Sequence, residues 1–162
     1  MDSKRELLDV LYTNARSSTE DLARQTGLSE DEVEEAISDL ESEKTIRGYQ
    51  AIIDWEALDE DHARAAVELN VTLDRETGYS DVSGRLAKFP EVSSLHLVSG
   101  NYDFLMIVEA SSVRKVSRFV SEKVAPVPEV TQTVTHFVME TYKEGGIEMR
   151  EDGDDDRLSV SP

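Results

Sequence analysis

Two serine caps set eleven residues apart constrain this chain more than any other feature: Ser18 stands three residues before Asp21, and Ser29 three before Glu32. In such a pair the hydroxyl accepts from a backbone N–H that the first helical turn leaves orphaned, and the acid reaches back toward the cap. Two short helices in quick succession are therefore predicted. Gly27 falls where the first must end and the chain reverse, a place that asks for the left-handed backbone region and so for a residue without a side chain. Val33, Ala36, Ile37 and Leu40 give the second helix an inner stripe, and Ala23 is small enough to admit a crossing helix. Leu7, Leu8, Val10 and Leu11 predict a further helix over 4–14, with Asp2 or Ser3 as its cap. Together these make a three-helix helix-turn-helix domain, and the alternating stretch after Lys44, through Arg47 to Asp54, predicts a small wing or strand.

From Ala63 the period changes from helical to alternating. Ala65, Val67, Leu69, Val71 and Leu73 fall on one face of a strand, with Ala66, Glu68, Asn70 and Thr72 on the other. A helix capped near Ser80 follows, then strands over 92–98 and 104–110 joined by a turn at 99–103, a helix over 112–124, and a last strand over 130–142. Pro90-Glu91-Val92 and Pro128-Glu129-Val130 each stand between a helix and a strand. That internal echo is what a doubled βαβ unit produces, and it predicts a ferredoxin-like βαββαβ sandwich. The whole is α+β: a winged helix-turn-helix domain at 1–50, a linker at 51–62, the sandwich at 63–144, and an acidic, disordered tail at 145–162. Neither face of the last strand is strongly polar, since Thr131, Thr133, Thr135, Phe137 and Met139 alternate with Gln132, Val134, His136 and Val138. Both faces are therefore expected to be covered, which implies a partner sheet and a dimer.

No cysteine is present, which excludes disulfides and thiolate metal sites, and no run of about twenty apolar residues suggests a membrane span. A cytoplasmic protein without a membrane partner is the expectation. Charge is the anomaly: 35 Asp and Glu against 17 Lys and Arg, a formal net charge of -18. Counterion release from phosphates favours basic DNA-binding surfaces, and this one is acidic. One resolution is a halophilic host with molar salt, where the Debye length falls to roughly 3 Å and repulsion is screened. The other is loss of DNA binding.

Asn14-Ala15-Arg16 with Ser18 to Tyr49, then Ser99-Gly100-Asn101-Tyr102-Asp103-Phe104, then Pro128 to Thr135, resemble the leucine-responsive regulatory protein and asparagine-regulator (Lrp/AsnC) family. The resemblance covers roughly residues 4 to 144. It implies a transcription regulator that binds double-stranded DNA, forms homodimers through its sheet domains, often assembles into octamers, and binds a small-molecule effector, usually an amino acid. The DNA-contact candidates are Arg16, Arg24, Ser29, Asp31, Glu34, Ser38 and Arg47. Solvated surface arginines would fit the same positions. The third helix departs from the family, which usually places arginine, serine or threonine there: Glu30 to Glu43 holds eight acids and no base. That departure keeps open an effector-sensing or co-assembling subunit that no longer binds DNA.

Carried over position by position, Gly100, Tyr102, Asp103, Thr133 and Thr135 are the effector-site candidates. A glycine exposes backbone N–H groups to a carboxylate, while Asp103 and the threonine hydroxyls suit an ammonium. A plain Gly-Asn hairpin beside β-favouring threonines accounts for the same residues. Tetrapyrrole decarboxylases resemble this two-domain family, which draws attention to His62, His96 and His136. With no dyad, metal-spaced cluster or phosphate-cradling loop, the sequence predicts no catalytic residues, no metal, no cofactor and no enzyme activity.

Overall fold

Ser18 and Ser29 both cap helices in the computed structural model, which describes residues 3–58, 60–74 and 77–149. The chain divides into two compact units, one running to Ile53 and resuming at Lys143, the other spanning Asp54–Tyr142.

In the first unit α1 (Ser3–Thr13), α2 (Thr19–Thr26) and α3 (Glu30–Ser42) enclose Leu7, Leu11, Leu22, Val33, Ala36 and Leu40. The Ser18 hydroxyl accepts from Asp21 N (3.1 Å) and donates to the Asp21 carboxylate (2.9 Å). The acid thus meets the hydroxyl, where the capping rule anticipated the backbone. At Ser29 the box is complete, with Ser29 N donating to Glu32 Oε2 (2.8 Å) and Glu32 N to Ser29 Oγ (3.3 Å). Gly27 ends α2 in the left-handed region at φ 73°, its N–H donating to the Ala23 carbonyl.

The backbone N–H of Ser29, and then its hydroxyl, hold the Glu32 carboxyl below the usual range. A carboxyl whose folded value is depressed contributes stability above its unfolded value and loses it as pH falls through the folded one. Ser29→Ala is expected to cost about 1 kcal/mol in denaturant melts and to flatten the loss of helicity in that acidic window, as followed by circular dichroism.

The second unit is a four-stranded antiparallel sheet in the order β2-β3-β1-β4, from β1 (Ala63–Val71), β2 (Val92–Leu97), β3 (Phe104–Ala110) and β4 (Val130–Phe137). With α4 (Tyr79–Leu86) after β1 and α5 (Val113–Phe119) after β3, the expected βαββαβ order is present. Along β1 the inward residues Ala63, Ala65, Val67 and Leu69 are buried with Phe104, Met106 and Val108 of β3, against Val82 and Leu86 of α4 and Val116 and Phe119 of α5. Three boundaries differ from expectation. A register shift at Asn70/Val71 closes β1 early, β4 stops at Phe137, and the helix over 112–124 finishes as a π-helical stretch, Val120–Val124. Within the linker, Asp54 Oδ1 accepts from Glu56 N and Ala57 N, and Trp55 stacks on His62 at 4.4 Å and 13°.

The expected wing strand does not form: residues 47–54 carry neither helix nor strand. The short hairpin of the first unit comes from the other end of the chain, as β5 (Lys143–Glu144) and β6 (Ile147–Glu148). Gly145 and Gly146, at φ 53° and 85°, form its turn, a pairing that the mirror-type two-residue hairpin requires. Residues 145–148, read from the sequence as the start of a tail, are therefore a turn and a return strand. A Cβ on Gly145 would collide with Ile52 Cδ1, so the turn lies directly on the extended segment. The remainder of the expected tail, from Arg150, lies outside the described residues.

Candidate functional site

The helix-turn-helix surface is built by subtraction. Once Val33, Ala36 and Leu40 turn inward, Asp31, Glu34, Glu35 and Ser38 are left on the exposed side of α3, and all eight acids from Glu30 to Glu43 are exposed. Ser29 is exposed too, but its hydroxyl is engaged with Glu32 (2.7 Å), which makes it the cap of α3 and not a free base-reading group. Arg24 pairs with Asp21 one turn back on α2. Lys4 reaches Asp39 (3.3 Å), and Arg5 reaches Asp9 (3.2 Å). Arg16, Lys44 and Arg47 form no ion pair among the described residues, and all three are exposed. Arg47 lines a cavity of about 700 Å³ between α1 and residues 45–50, with Arg5, Tyr12 and Tyr49 on its other walls. Of the cationic groups free to meet phosphates, Lys44 and Arg47 follow α3 directly and Arg16 stands between α1 and α2, while the face of α3 is anionic.

The effector candidates gather at one end of the sheet in the second unit. Gly100 turns between β2 and β3 at φ 136°, with open space where a side chain would stand. Leu69 of β1 lies opposite Phe104 on one side and Thr133 on the other. The Asp103–Phe104 corner and Thr133 are therefore about two strand spacings, ~10 Å, apart. Thr133 and Thr135 are half-buried on the helix side of edge strand β4, beside Leu69 and Val67, and Tyr102 is half-buried in the turn.

Asp103 is already committed at four points. Its N–H donates to Leu69 O (2.9 Å) and its carbonyl accepts from Val98 N (2.9 Å). Carboxylate Oδ2 accepts from Val71 N (2.9 Å), and Oδ1 from the Tyr79 hydroxyl (3.1 Å) at the start of α4. The Tyr79 ring meets Phe104 edge-on at 5.8 Å and 72°. That hydrogen bond, followed by the charge of Asp103, pushes the Tyr79 phenol above the usual tyrosine range. Tyr79 escaped the sequence reading because nothing in a separation of 24 residues signals the pairing; only the fold brings them together.

The three histidines do not converge. His62 stacks on Trp55 with Nε2 4.0 Å from Glu109, His136 sits 3.1 Å from Glu68 on the outer sheet face, and His96 is exposed on β2. No group of three or more His, Asp or Glu suited to a metal occurs among the described residues. That outer face also carries Ala66, Leu105, Ile107 and Val134, all half-exposed, an apolar strip that helices do not cover.

Among protein families, residues 64–147 match the Lrp/AsnC ligand binding domain and residues 2–47 a winged helix-turn-helix DNA-binding domain. An uncharacterised helix-turn-helix-type transcriptional regulator of Bacillus subtilis is 38% identical over 99% of this chain and 98% of its own. The leucine-responsive regulatory protein of Salmonella typhimurium is 31% identical over 86% and 85%. Among solved structures, the leucine response regulatory protein of Mycobacterium tuberculosis superposes with a TM-score of 0.74 at 26% identity, covering 93% of this chain and 99% of that one.

Proposed function

Since this chain belongs to the Lrp/AsnC family of transcriptional regulators, with both its DNA-binding and its ligand-binding domain present, we propose that its effector is an amino acid held at the Asp103 corner. We further propose that two copies join through the outer sheet face, that such dimers gather into octamers, and that effector occupancy changes how paired helix-turn-helix units are presented to DNA. The observation that carries the effector reading is the gathering of Gly100, Asp103 and Thr133 at one sheet end, with an anionic group beside open space. The uncovered strip of Leu105, Ile107 and Val134 supports the dimer. The acidity fits a molar-salt cytoplasm, where screening lets an anionic helix approach phosphates.

The test is operator binding in molar potassium chloride with each of the twenty amino acids. Sequence-preferring binding that one of them modulates supports the reading, and none with any of them refutes it. Phosphate contact from Arg16, Lys44 and Arg47 in both protomers gives an expected slope of about −5 in log affinity against log salt. Arg47→Ala is expected to reduce that slope by about 2 per dimer without changing sequence preference.

The eight exposed acids from Glu30 to Glu43 favour a second reading, a subunit that senses effector but contacts DNA only through a more basic paralogue. A footprint that appears only in mixed oligomers would select it.

A further inference from the structure

Asp103 carries two kinds of hydrogen bond, and they differ in how readily a ligand can replace them. Oδ2 is tied to the backbone N–H of Val71 at the end of β1, a donor fixed by the sheet. Oδ1 is tied to a side chain, the Tyr79 hydroxyl, at the first residue of α4. Tyr79 is 39% exposed, so solvent and solutes reach the phenol, and the Gly100 side of the corner is open. A neutral phenol is a weaker donor to a carboxylate than a cationic ammonium, whose hydrogen bond is charge-assisted. The carboxylate keeps its Val71 anchor whichever donor holds Oδ1.

Resting on the amino-acid reading above, we propose that Tyr79 is a built-in competitor for the effector: its hydroxyl occupies Asp103 Oδ1 in the empty protein, and the effector's ammonium displaces it. Tyr79 thereby sets the affinity threshold, because only molecules lacking the Tyr79–Asp103 bond are ready to bind, and the apparent affinity falls by the fraction that retains it. Displacement also releases the start of α4 from the β2–β3 corner. The Asp81 carboxylate on Gly78 N (2.9 Å) still caps the helix, so the phenol can leave without unwinding it. In the empty protein the upward shift of the phenol keeps it a donor throughout the neutral range.

Tyr79→Phe retains the ring against Phe104 and removes only the competing hydroxyl. In calorimetric titrations of the full chain in molar potassium chloride, with L-leucine and each of the other nineteen amino acids as probes, the variant is expected to bind the active amino acid about tenfold more tightly. Its affinity for the same molecule without the amino group should not change. In the unaltered protein carrying ¹³C-labelled tyrosine, the Tyr79 resonance is expected to move toward that of a solvated phenol as the amino acid is added. Equal or weaker binding by Tyr79→Phe, or a stationary Tyr79 resonance at saturation, would overturn the proposal while leaving the effector reading in place. No binding of any amino acid to the unaltered protein would overturn both.

Discussion

Ile107→Lys is expected to leave the second unit folded but monomeric, and to weaken operator binding by at least about a hundredfold. Ile107 lies on β3, an interior strand, opposite Ala66 of β1 and Ser94 of β2, and its side chain is on the face that α4 and α5 do not cover. In one chain that position is half-exposed, so a lysine there is solvated and the inward core of Phe104, Met106 and Val108 is untouched. Across a two-fold interface the same substitution appears twice, and each ammonium would be buried among Leu105 and Val134 without a carboxylate of its own. Burying an unpaired charge costs several kcal/mol, which exceeds what a modest apolar interface supplies. Of the acids on that face, Glu68 already meets His136 at 3.1 Å and Glu109 meets Arg64 at 3.4 Å. The DNA effect follows from linkage: a dimer delivers its second helix-turn-helix at millimolar effective concentration, and a monomer must find its site alone. Sedimentation in molar salt reads the first outcome and a gel shift the second. A dimer of unchanged size would mean that the strip is covered by something other than a second sheet.

The parts of this fold that could be read from the sequence are those decided by near neighbours. The Ser29 box needs only Glu32, Gly27 needs only its own missing side chain, and the alternation of Ala65, Val67 and Leu69 is fixed by the period of a strand. The larger misses involve distant partners. Residues 47–54 alternate as a wing should, yet alternation does not supply a second strand, and the hairpin nearest them in the same unit begins at Lys143. Gly145-Gly146 looks like a strand breaker until both residues are seen at positive φ with β6 returning from them. The candidate effector residues do lie toward one end of the sheet, but the sequence could not show that the Asp103 carboxylate is already shared between Val71 and Tyr79. On α3 the sequence was fully informative about charge, and the cap it showed at Ser29 is what removes that hydroxyl from the base-reading candidates.

Phe104→Ala should be the most destabilising single truncation in the second unit, at about 3–5 kcal/mol, against a typical domain stability of about 5–15 kcal/mol. Phe104 is 1% exposed, is the largest of the fully buried side chains, and sits where β3 meets Leu69 of β1. It is also the surface on which the Tyr79 ring rests, so its loss opens a cavity and removes the support that aims the phenol at Asp103. The consequence should remain local. The two units have separate cores with no residue in common, one around Leu7, Leu22 and Val33 and the other around Leu69, Phe104 and Met106. Scanning calorimetry in molar potassium chloride should therefore show one transition moved down by Phe104→Ala and the other nearly in place. Leu22→Ala, at 2% exposure in the first core, should do the reverse for about 2–5 kcal/mol. If either substitution shifts both transitions equally, the cores melt as one cooperative body, and an effector bound at the Asp103 corner could reach the helix-turn-helix through stability alone, without a change in dimer geometry.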